Sequence, residues 1–210
     1  MAATKHEMTI ELHHGDLPDG LDLGNLVAVD CEMMGLNPVR DRLCLVQLSS
    51  GDGVCHLVKF KKDEFDAPNL KALLKDKDVT KIFHFARGDI GVLLAYLDVL
   101  TAPVYCTKIA SRLVRTFTSH HSLKNLCKDF LAVEISKQQT CTDWGAEELT
   151  ESQLEYAAVD VLYLHAIKDK IDAMLEREER TELAQSCFNF LPYRAVLDLA
   201  GWEDTDMFEH

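Results

Sequence analysis

The stretch VAVDCEM, residues 27–33, places two carboxylates, Asp30 and Glu32, inside an otherwise apolar run. If this run is a strand, successive side chains alternate between the two faces of a sheet, so both acids project from one face. Cys31 then points to the other face, away from the acids. Two carboxylates on a buried strand repel each other, and buried charge is costly unless something neutralises it. The pair therefore indicates a divalent-cation site, or a strand end that lies in water.

Length and composition predict one large globular domain. The 210 residues include 47% hydrophobic ones, which is enough for a core. Seven cysteines are scattered along the chain without a CxxC pair, which favours free thiols in a reducing compartment over a disulfide or zinc framework. No apolar run has the length of a signal-peptide core or a membrane helix. We expect a soluble, cytoplasmic protein with no membrane partner.

The formal net charge of −13 argues against a surface built to hold long nucleic acid. Affinity for phosphate backbones comes from Lys and Arg side chains that neutralise phosphates. A short nucleic acid at a metal-filled pocket is not excluded, because bound cations can reverse the local sign of charge.

Strand and helix patterns alternate along the chain. A short edge strand is predicted in TIELHHGD (9–16), followed by strands at 26–34, 43–50 and 54–60, the last two joined by the GDG hairpin at 51–53. Later segments predict strands at 80–85 and 104–107 and helices at 67–76, 89–97, 107–115, 121–131 and 150–178. The pattern predicts an α/β fold with a mixed sheet, antiparallel in its first half and crossed by helices in its second.

Two later sites can complete the acidic pair. Asp89 starts a helix directly after a strand, where α/β sheets place ligand crevices; a carboxylate that only stabilises the helix dipole is the alternative. Tyr156 and Asp160 lie four residues apart on one face of the predicted 150–178 helix. In an otherwise apolar helix, these two polar groups need partners.

These motifs resemble the three exonuclease motifs of the DEDDy branch of the DEDD superfamily: the pair Asp30 and Glu32, Asp89 after KIFHF, and Tyr156 with Asp160. The stretch LTESQLEYAAVDVLYL is similar to the third motif of ribonuclease D proteins. The similarity is closer still to the nanoRNase C (NrnC) family of alphaproteobacteria. It is carried by GLNPVRDRLCLVQLSSGDG, TKIFHF, CTKIASRLVRT, ISKQQ and the tail CFNFLPYRAVLDLAGW.

The resemblance implies a ribonuclease H-like (DnaQ-like) exonuclease domain with a five- to six-stranded sheet over residues 1–210. Residues 1–14 would be an N-terminal segment, and residues 187–210 a C-terminal extension for packing or oligomer contacts. The implied activity is 3′–5′ hydrolysis of very short RNA, preferentially dinucleotides, to nucleoside 5′-monophosphates. Broader ribonuclease D-like trimming of RNA and a catalytically idle nucleic-acid-binding relative remain as alternatives.

One motif departs from the family pattern. The stretch DCEMMGL is similar to the DEDDh branch, whose third motif is HxxxxD, and His84 and Asp89 have this spacing. That assignment would leave the second motif without an acid and would leave Tyr156 and Asp160 without a role. We therefore retain the DEDDy assignment.

Four acids and a tyrosine predict the chemistry. Carboxylate oxygens suit Mg²⁺ or Mn²⁺, and two such ions stabilise the entering and leaving oxygens of a phosphoryl displacement. Asp30, Glu32 and Asp160 would hold one cation, and Asp30 and Asp89 the other. Tyr156 would orient the attacking water, because a phenol with a pKa of about 10 is a poor base.

Further substrate contacts are predicted at four positions. Leu36, in the loop after the acids, would wedge between two bases or simply pack in its loop. His84 would contact a phosphate or be a satisfied core residue. Lys137 and Gln138 belong to a polar loop that would cap a 5′ phosphate or only be solvated. The His-His pairs at 13–14 and 120–121 lack a metal-ligand partner at a recognisable spacing.

The C-terminal tail carries more apolar surface than a solvated segment should expose: Phe188, Phe190, Leu191, Tyr193, Leu197, Leu199, Trp202 and Phe208. It must pack on its own domain or on another subunit. The resemblance implies a homo-oligomer, a ring-like octamer in which only very short RNA reaches the metals.

Overall fold

The computed structural model describes residues 8–135 and 142–209. Its six strands are β1 (Thr9–His14), β2 (Leu26–Met33), β3 (Leu43–Ser49), β4 (Val54–Lys59), β5 (Thr80–Phe83) and β6 (Val104–Cys106). They form one sheet in the order β1-β4-β3-β2-β5-β6. The strands β2, β3 and β4 are an antiparallel meander, whereas β1, β5 and β6 each pair in parallel. The α/β class and the mixed, ribonuclease H-like sheet are confirmed.

The helices are α1 (Pro68–Lys75), α2 (Arg87–Leu97), α3 (Thr107–Val114), α4 (Leu123–Leu126), α5 (Glu151–Leu162), α6 (Leu164–Arg177) and α7 (Thr181–Leu197). A π-helical turn extends α4 through residues 127–131, and another extends α7 through residues 198–202. No helix in the described ranges is long and apolar enough to cross a membrane.

Local signals explain where several elements begin. The first turn of α1 contains Pro68, as predicted, because this position needs no N–H donor. Thr150 and Gln153 form a reciprocal capping box that starts α5. At the β3–β4 hairpin, Gly51 has a φ of 85°, and a Cβ there would lie 2.8 Å from Cγ of His165. Only glycine fits both the left-handed backbone and this close approach.

The long helix predicted at 150–178 is divided in the structure. It breaks at Tyr163, whose φ of −101° and ψ of −2° depart from helical values, so α5 and α6 are separate. The break lets α5 cross β2, β3 and β4 while α6 packs against α3 and α7. Sequence periodicity could not reveal it, because apolar positions continue through the junction.

Two apolar clusters fill the core. The larger one joins most of the sheet to α1, α2, α3, α6 and α7. The smaller one contains Leu45, Leu57, Trp144 and Ala157, between the sheet and α5. The six cysteines in the described part of the chain are free thiols.

Candidate active site

Strand β2 and helix α5 bring three acids together. Asp30 pairs with Gln47 on β3, and Glu32 pairs with Leu45, which packs beneath α5. Cross-strand partners share a face of the sheet, so both acids lie on the face covered by α5. One carboxylate oxygen from each of Asp30, Glu32 and Asp160 lies within 4.8 Å of the other two. The predicted grouping of β2 acids with the α5 aspartate is therefore present in the geometry.

A β-bulge ends β2 beside the acids. The register of β2 on β3 shifts between Glu32, which pairs with Leu45, and Met33, which pairs with Leu43. An extra residue in one strand bends it and increases its twist, and such bulges often re-aim side chains at sites. Here the extra residue is Cys44 of β3, opposite the end of β2 from which the Leu36 loop follows.

Asp89 joins the cluster from the first turn of α2. Burial is the main cause that raises the pKa of Asp89 to about 7, and the charge of Asp160 adds to it. Hydrogen bonds from the backbone N–H groups of Asp89 and Cys31 act in the opposite direction. Its carboxyl group is thus part of the same electrostatic unit as the other three acids.

The pKa values of the two acids on β2 are raised as well. Burial, followed by the charges of Asp160 and Asp89, raises the pKa of Glu32 to about 8. Burial and the three neighbouring acids raise the pKa of Asp30 well above its usual range. Like charges in a poorly solvated site disfavour ionisation. The residues therefore fit divalent cations, which would neutralise them and which prefer carboxylate oxygens.

Tyr156 lies one helical turn before Asp160 on α5. Its ring is 6.1 Å from that of the buried Trp144, with 37° between the ring planes. The segment around Trp144 is tied to α5 because Gln153 Nε2 donates to Thr142 Oγ1 at 3.0 Å and to the Asp143 carbonyl at 3.2 Å. These contacts orient Tyr156 relative to the acids.

Gln47 was missed by the sequence analysis, which treated LCLVQLSS as an ordinary strand. The side chain of Gln47 is fully buried next to Asp30 in the sheet. Neither its amide nitrogen nor its amide oxygen has a hydrogen-bond partner among the described residues. A buried amide without a partner is costly. The only sequence signal was one polar residue in an otherwise apolar run.

Leu36 is 94% exposed, in the loop between β2 and β3. Hydrogen bonds order this loop: the Asn37 backbone N–H donates to Asp41 Oδ2 at 3.0 Å, and the Val39 backbone N–H donates to Asn37 Oδ1 at 2.9 Å. The side chain of Leu36 is therefore not held in place by packing against the rest of the protein. The alternative of ordinary loop packing is therefore weakened for Leu36.

The other predicted contacts differ in their placement. His84 directly follows β5, and its Nδ1 lies 2.8 Å from Oγ1 of Thr107, which donates to the Phe83 carbonyl at 3.1 Å. This contact accounts for one ring nitrogen and holds the half-buried ring at the end of β5. Lys137 and Gln138 lie outside the described residues.

A cavity of about 450 Å³ lies between the Leu36 loop, Phe85, the start of α2 and the turn after α7. Arg87 closes one side: its Nε and Nη2 donate to the carboxylate of Asp198 at 2.5 and 2.7 Å, and Nη2 also donates to the Glu203 carbonyl at 2.8 Å. The C-terminal residues therefore form part of the wall next to Asp89.

Comparison with known proteins identifies similar chains. Residues 16–176 match the 3′–5′ exonuclease family. Ribonuclease D of Gluconacetobacter diazotrophicus is 33% identical over 160 residues, which are 76% of this chain and 40% of that relative. The chain thus spans less than half of the length of this curated relative.

Two solved structures are similar over almost the whole chain. Brucella melitensis NrnC with bound Mg²⁺ has 50% identity and a TM-score of 0.93, covering 97% of this chain and all of that one. Brucella melitensis NrnC bound to pGG has 51% identity and a TM-score of 0.94, covering 97% of this chain and 99% of that one.

The raised pKa values predict that the metal-free protein loses stability as the pH rises. Because the folded-state pKa values exceed the value near 4 of free carboxyls, protonation stabilises the fold fully below about pH 4. This contribution is lost as the pH passes about 7 for Asp89 and about 8 for Glu32. We expect the Tm in EDTA to fall between about pH 4 and pH 8, and excess Mg²⁺ to remove the fall.

Glu32→Gln should make the fall shallower, because glutamine cannot ionise. Glu155→Gln, at an exposed position of helix α5, is the matched control and should retain the full fall. Calorimetry at several pH values measures the fall in Tm of both variants. A fall of equal size in the Glu32 variant would show that the cluster does not titrate as described.

Proposed function

The chain belongs to the 3′–5′ exonuclease family, and we propose that it is an exoribonuclease that hydrolyses very short RNA, preferentially dinucleotides, to nucleoside 5′-monophosphates. The observation that carries this proposal is the convergence of the Asp30, Glu32 and Asp160 carboxylates within 4.8 Å, with Asp89 coupled to them. A cluster of this kind has no structural benefit, because its members repel one another.

The donor set supports two divalent cations, Mg²⁺ or Mn²⁺. Asp30, Glu32 and Asp160 would hold one, and Asp30 and Asp89 the other. When bound, two such ions stabilise the entering and leaving oxygens of an in-line displacement at phosphorus. The Mg²⁺ in the similar NrnC structure supports this assignment.

In this proposal Tyr156 is the positioning group for the attacking water. Its place one turn from Asp160 sets the phenol beside the acids, and Trp144 restricts the ring. Its hydroxyl would accept or donate a hydrogen bond that aligns the water for attack at the 3′-terminal phosphodiester. Gln47, buried opposite Asp30, would supply a polar contact that restrains the carboxyl group of Asp30.

The exposed Leu36 and Phe85 would hold the bases. Leu36 stands on an ordered loop, and Phe85, 48% exposed, lies under the ammonium group of Lys108, whose Nζ is 3.9 Å from the ring centre. Both residues line the cavity between the Leu36 loop and the start of α2. Leu36 would wedge between two bases, and His84, near the same strand end, would contact a phosphate. Lys137 and Gln138 remain proposed ligands of the 5′ phosphate.

The preference for short RNA follows from the walls of the cavity and from the net charge of the chain. The turn after α7 narrows the cavity, and the net charge of −13 offers little attraction for a long phosphate backbone. The structure of a similar chain with pGG bound supports a substrate of this size.

Broader ribonuclease D-like trimming is the second candidate, favoured by the similarity to a curated ribonuclease D. The proposal includes a cytoplasmic location, since the six described cysteines are free thiols.

The C-terminal residues support a homo-oligomer, an octamer by similarity. One side of α7 packs inward through Ala184, Phe188, Leu191 and Ala195. The other side and the following segment expose Phe190, Tyr193, Val196, Trp202, Met207 and Phe208. An apolar patch of this kind is typical of a protein interface. The single domain with an extension at residues 187–210 that serves both packing and assembly is thus part of the proposal.

A length series tests the substrate. The protein is incubated with Mn²⁺ and 5′-labelled RNAs of two to about seven nucleotides, and initial rates are compared. We expect the dinucleotide to be cleaved fastest, because the exposed Leu36 and Phe85 would hold its two bases. Rates that increase with length, or cleavage of structured RNA ends, would favour ribonuclease D-like trimming instead.

Two substitutions separate the roles of the site residues. Tyr156→Phe removes only the hydroxyl and should lower the rate by roughly a hundred- to ten-thousand-fold while metal binding is retained. Asp30→Asn should abolish turnover and weaken metal binding, with the fold intact or stabilised, because one charge leaves a crowded cluster. Single-turnover rates and Mn²⁺ titration measure the two effects.

Tyr163→Phe, at the junction of α5 and α6, is the matched control and should keep the wild-type rate. A Tyr156→Phe enzyme with the wild-type rate would assign Tyr156 to packing. Unchanged cleavage by the Asp30 variant would end the two-cation proposal.

Exposed aromatic residues of the C-terminal segment provide the test of assembly. Deleting residues 187–210 would also remove the buried Phe188 and Leu191, so surface substitutions are preferable. We expect light scattering to show a large homo-oligomer for the wild type. Tyr193→Glu combined with Trp202→Glu should dissociate it into 23.7 kDa chains and weaken the dinucleotide preference.

Gln185→Glu, exposed and polar on the same helix, should leave the assembly intact. A wild-type protein that is monomeric and still prefers dinucleotides would remove assembly from the explanation of specificity.

A further inference from the structure

A second cluster of metal-ligand side chains lies at the edge of the sheet, outside the proposed exonuclease site. The parallel pairing of β1 with β4 puts Glu11 beside His56, and His13 follows two residues later on the same face. His13 Nε2 lies 3.1 Å from His56 Nδ1. Glu11 Oε2 lies 3.4 Å from His56 Nδ1 and 3.9 Å from His13 Nε2.

This cluster is on the opposite face of the sheet from the catalytic acids. Through the ladder, Asp30 aligns with Gln47, which aligns with Leu57 under α5. His56 is the neighbour of Leu57 on β4, so its side chain points away from α5. The strand β3 also separates β4 from β2. None of these three residues can therefore share a cation with Asp30 or Asp160.

The distances between the donor atoms match a tetrahedral transition-metal site. With metal–nitrogen and metal–oxygen bonds of about 2.0 to 2.2 Å, two ligand atoms of a tetrahedral ion are separated by roughly 3.3 to 3.5 Å. The three observed separations of 3.1, 3.4 and 3.9 Å bracket this value. Three protein donors would leave the fourth position open on the side of Glu11, whose side chain is half exposed.

We propose that Glu11, His13 and His56 bind a borderline transition-metal cation such as Zn²⁺. Imidazole nitrogens with one carboxylate select such ions, whereas Mg²⁺ prefers the all-oxygen acids of the catalytic cluster. In the metal-free protein, the ring N–H of one histidine donates to the ring nitrogen of the other. When the cation binds, the donor imidazole adopts its other tautomer, so that both facing nitrogens offer lone pairs to the metal. Binding changes no oxidation state.

The proposed site has a structural consequence. Within the described residues, β1 is an edge strand whose only strand partner is β4. A cation shared by two β1 side chains and one β4 side chain would join the edge strand to the body of the sheet. Because such an ion binds the folded state and not the unfolded chain, it stabilises the fold by mass action. This inference does not depend on the proposed function.

The test uses the full-length chain without a polyhistidine tag, in excess Mg²⁺ so that the catalytic acids stay occupied. Zn²⁺ is titrated calorimetrically, and the Tm is measured in parallel. We expect one Zn²⁺ equivalent per chain. At about a hundredfold excess of Zn²⁺ over its Kd, we expect a rise in Tm of roughly 5 to 10 °C.

Matched variants show which residues bind the Zn²⁺ equivalent. His13→Gln and His56→Gln should each abolish it, and Glu11→Gln should weaken it. His14→Gln is the control, since His14 is the next residue of β1, exposed and on the other face. Asp30→Asn should also retain the equivalent, which separates this site from the catalytic cluster.

Zn²⁺ binding that survives in His13→Gln, or that disappears equally in His14→Gln, would overturn the proposal. A wild-type protein that binds no Zn²⁺ equivalent tightly would also overturn the proposal. If His56→Gln does not fold because the position is buried, the variants of His13 and Glu11 on the edge strand still decide the question.

Discussion

Mutual repulsion among four carboxyl groups is the constraint on which the rest of the structure depends. Burial and neighbouring charge raise the pKa values of Asp30, Glu32 and Asp89, so the cluster opposes its own ionisation in the absence of cations. A fold that holds such groups together must be rigid around them. The central position of β2 in the sheet, between β3 and β5, provides this rigidity.

The helices that complete the cluster are held by polar contacts at their ends. The capping box of Thr150 and Gln153 fixes the start of α5, and the amide of Gln153 continues to the segment around Trp144. At the other side, Arg87 in α2 binds Asp198 in the turn after α7. Arg87 and Asp198 also line the cavity, so the contact that joins α2 to the turn after α7 is part of the cavity wall.

The two faces of the sheet carry different chemistry. Hard oxygen donors gather under α5, whereas two imidazoles and one carboxylate gather on the opposite face at the edge strand. The alternation of side chains along β4 separates them, since Leu57 and His56 are neighbours in sequence and point to opposite faces. One sheet can thus offer two cation sites of different selectivity without competition between them.

Local periodicity was enough to predict the strands, most of the helices and most of the acidic cluster, but not helix α7. Asp30 and Glu32 share a face because strands alternate, and Tyr156 and Asp160 share one because helices repeat every 3.6 residues. Both facts follow from the sequence alone, as does the GDG hairpin. The tertiary structure alone decided the burial of Gln47 beside Asp30, the break at Tyr163, the bond between Arg87 and Asp198, and the meeting of Glu11 and His13 with His56. The physical reason is that these features depend on strand register and helix packing between segments far apart in sequence, and no local pattern encodes the register of a parallel pair such as β1 and β4.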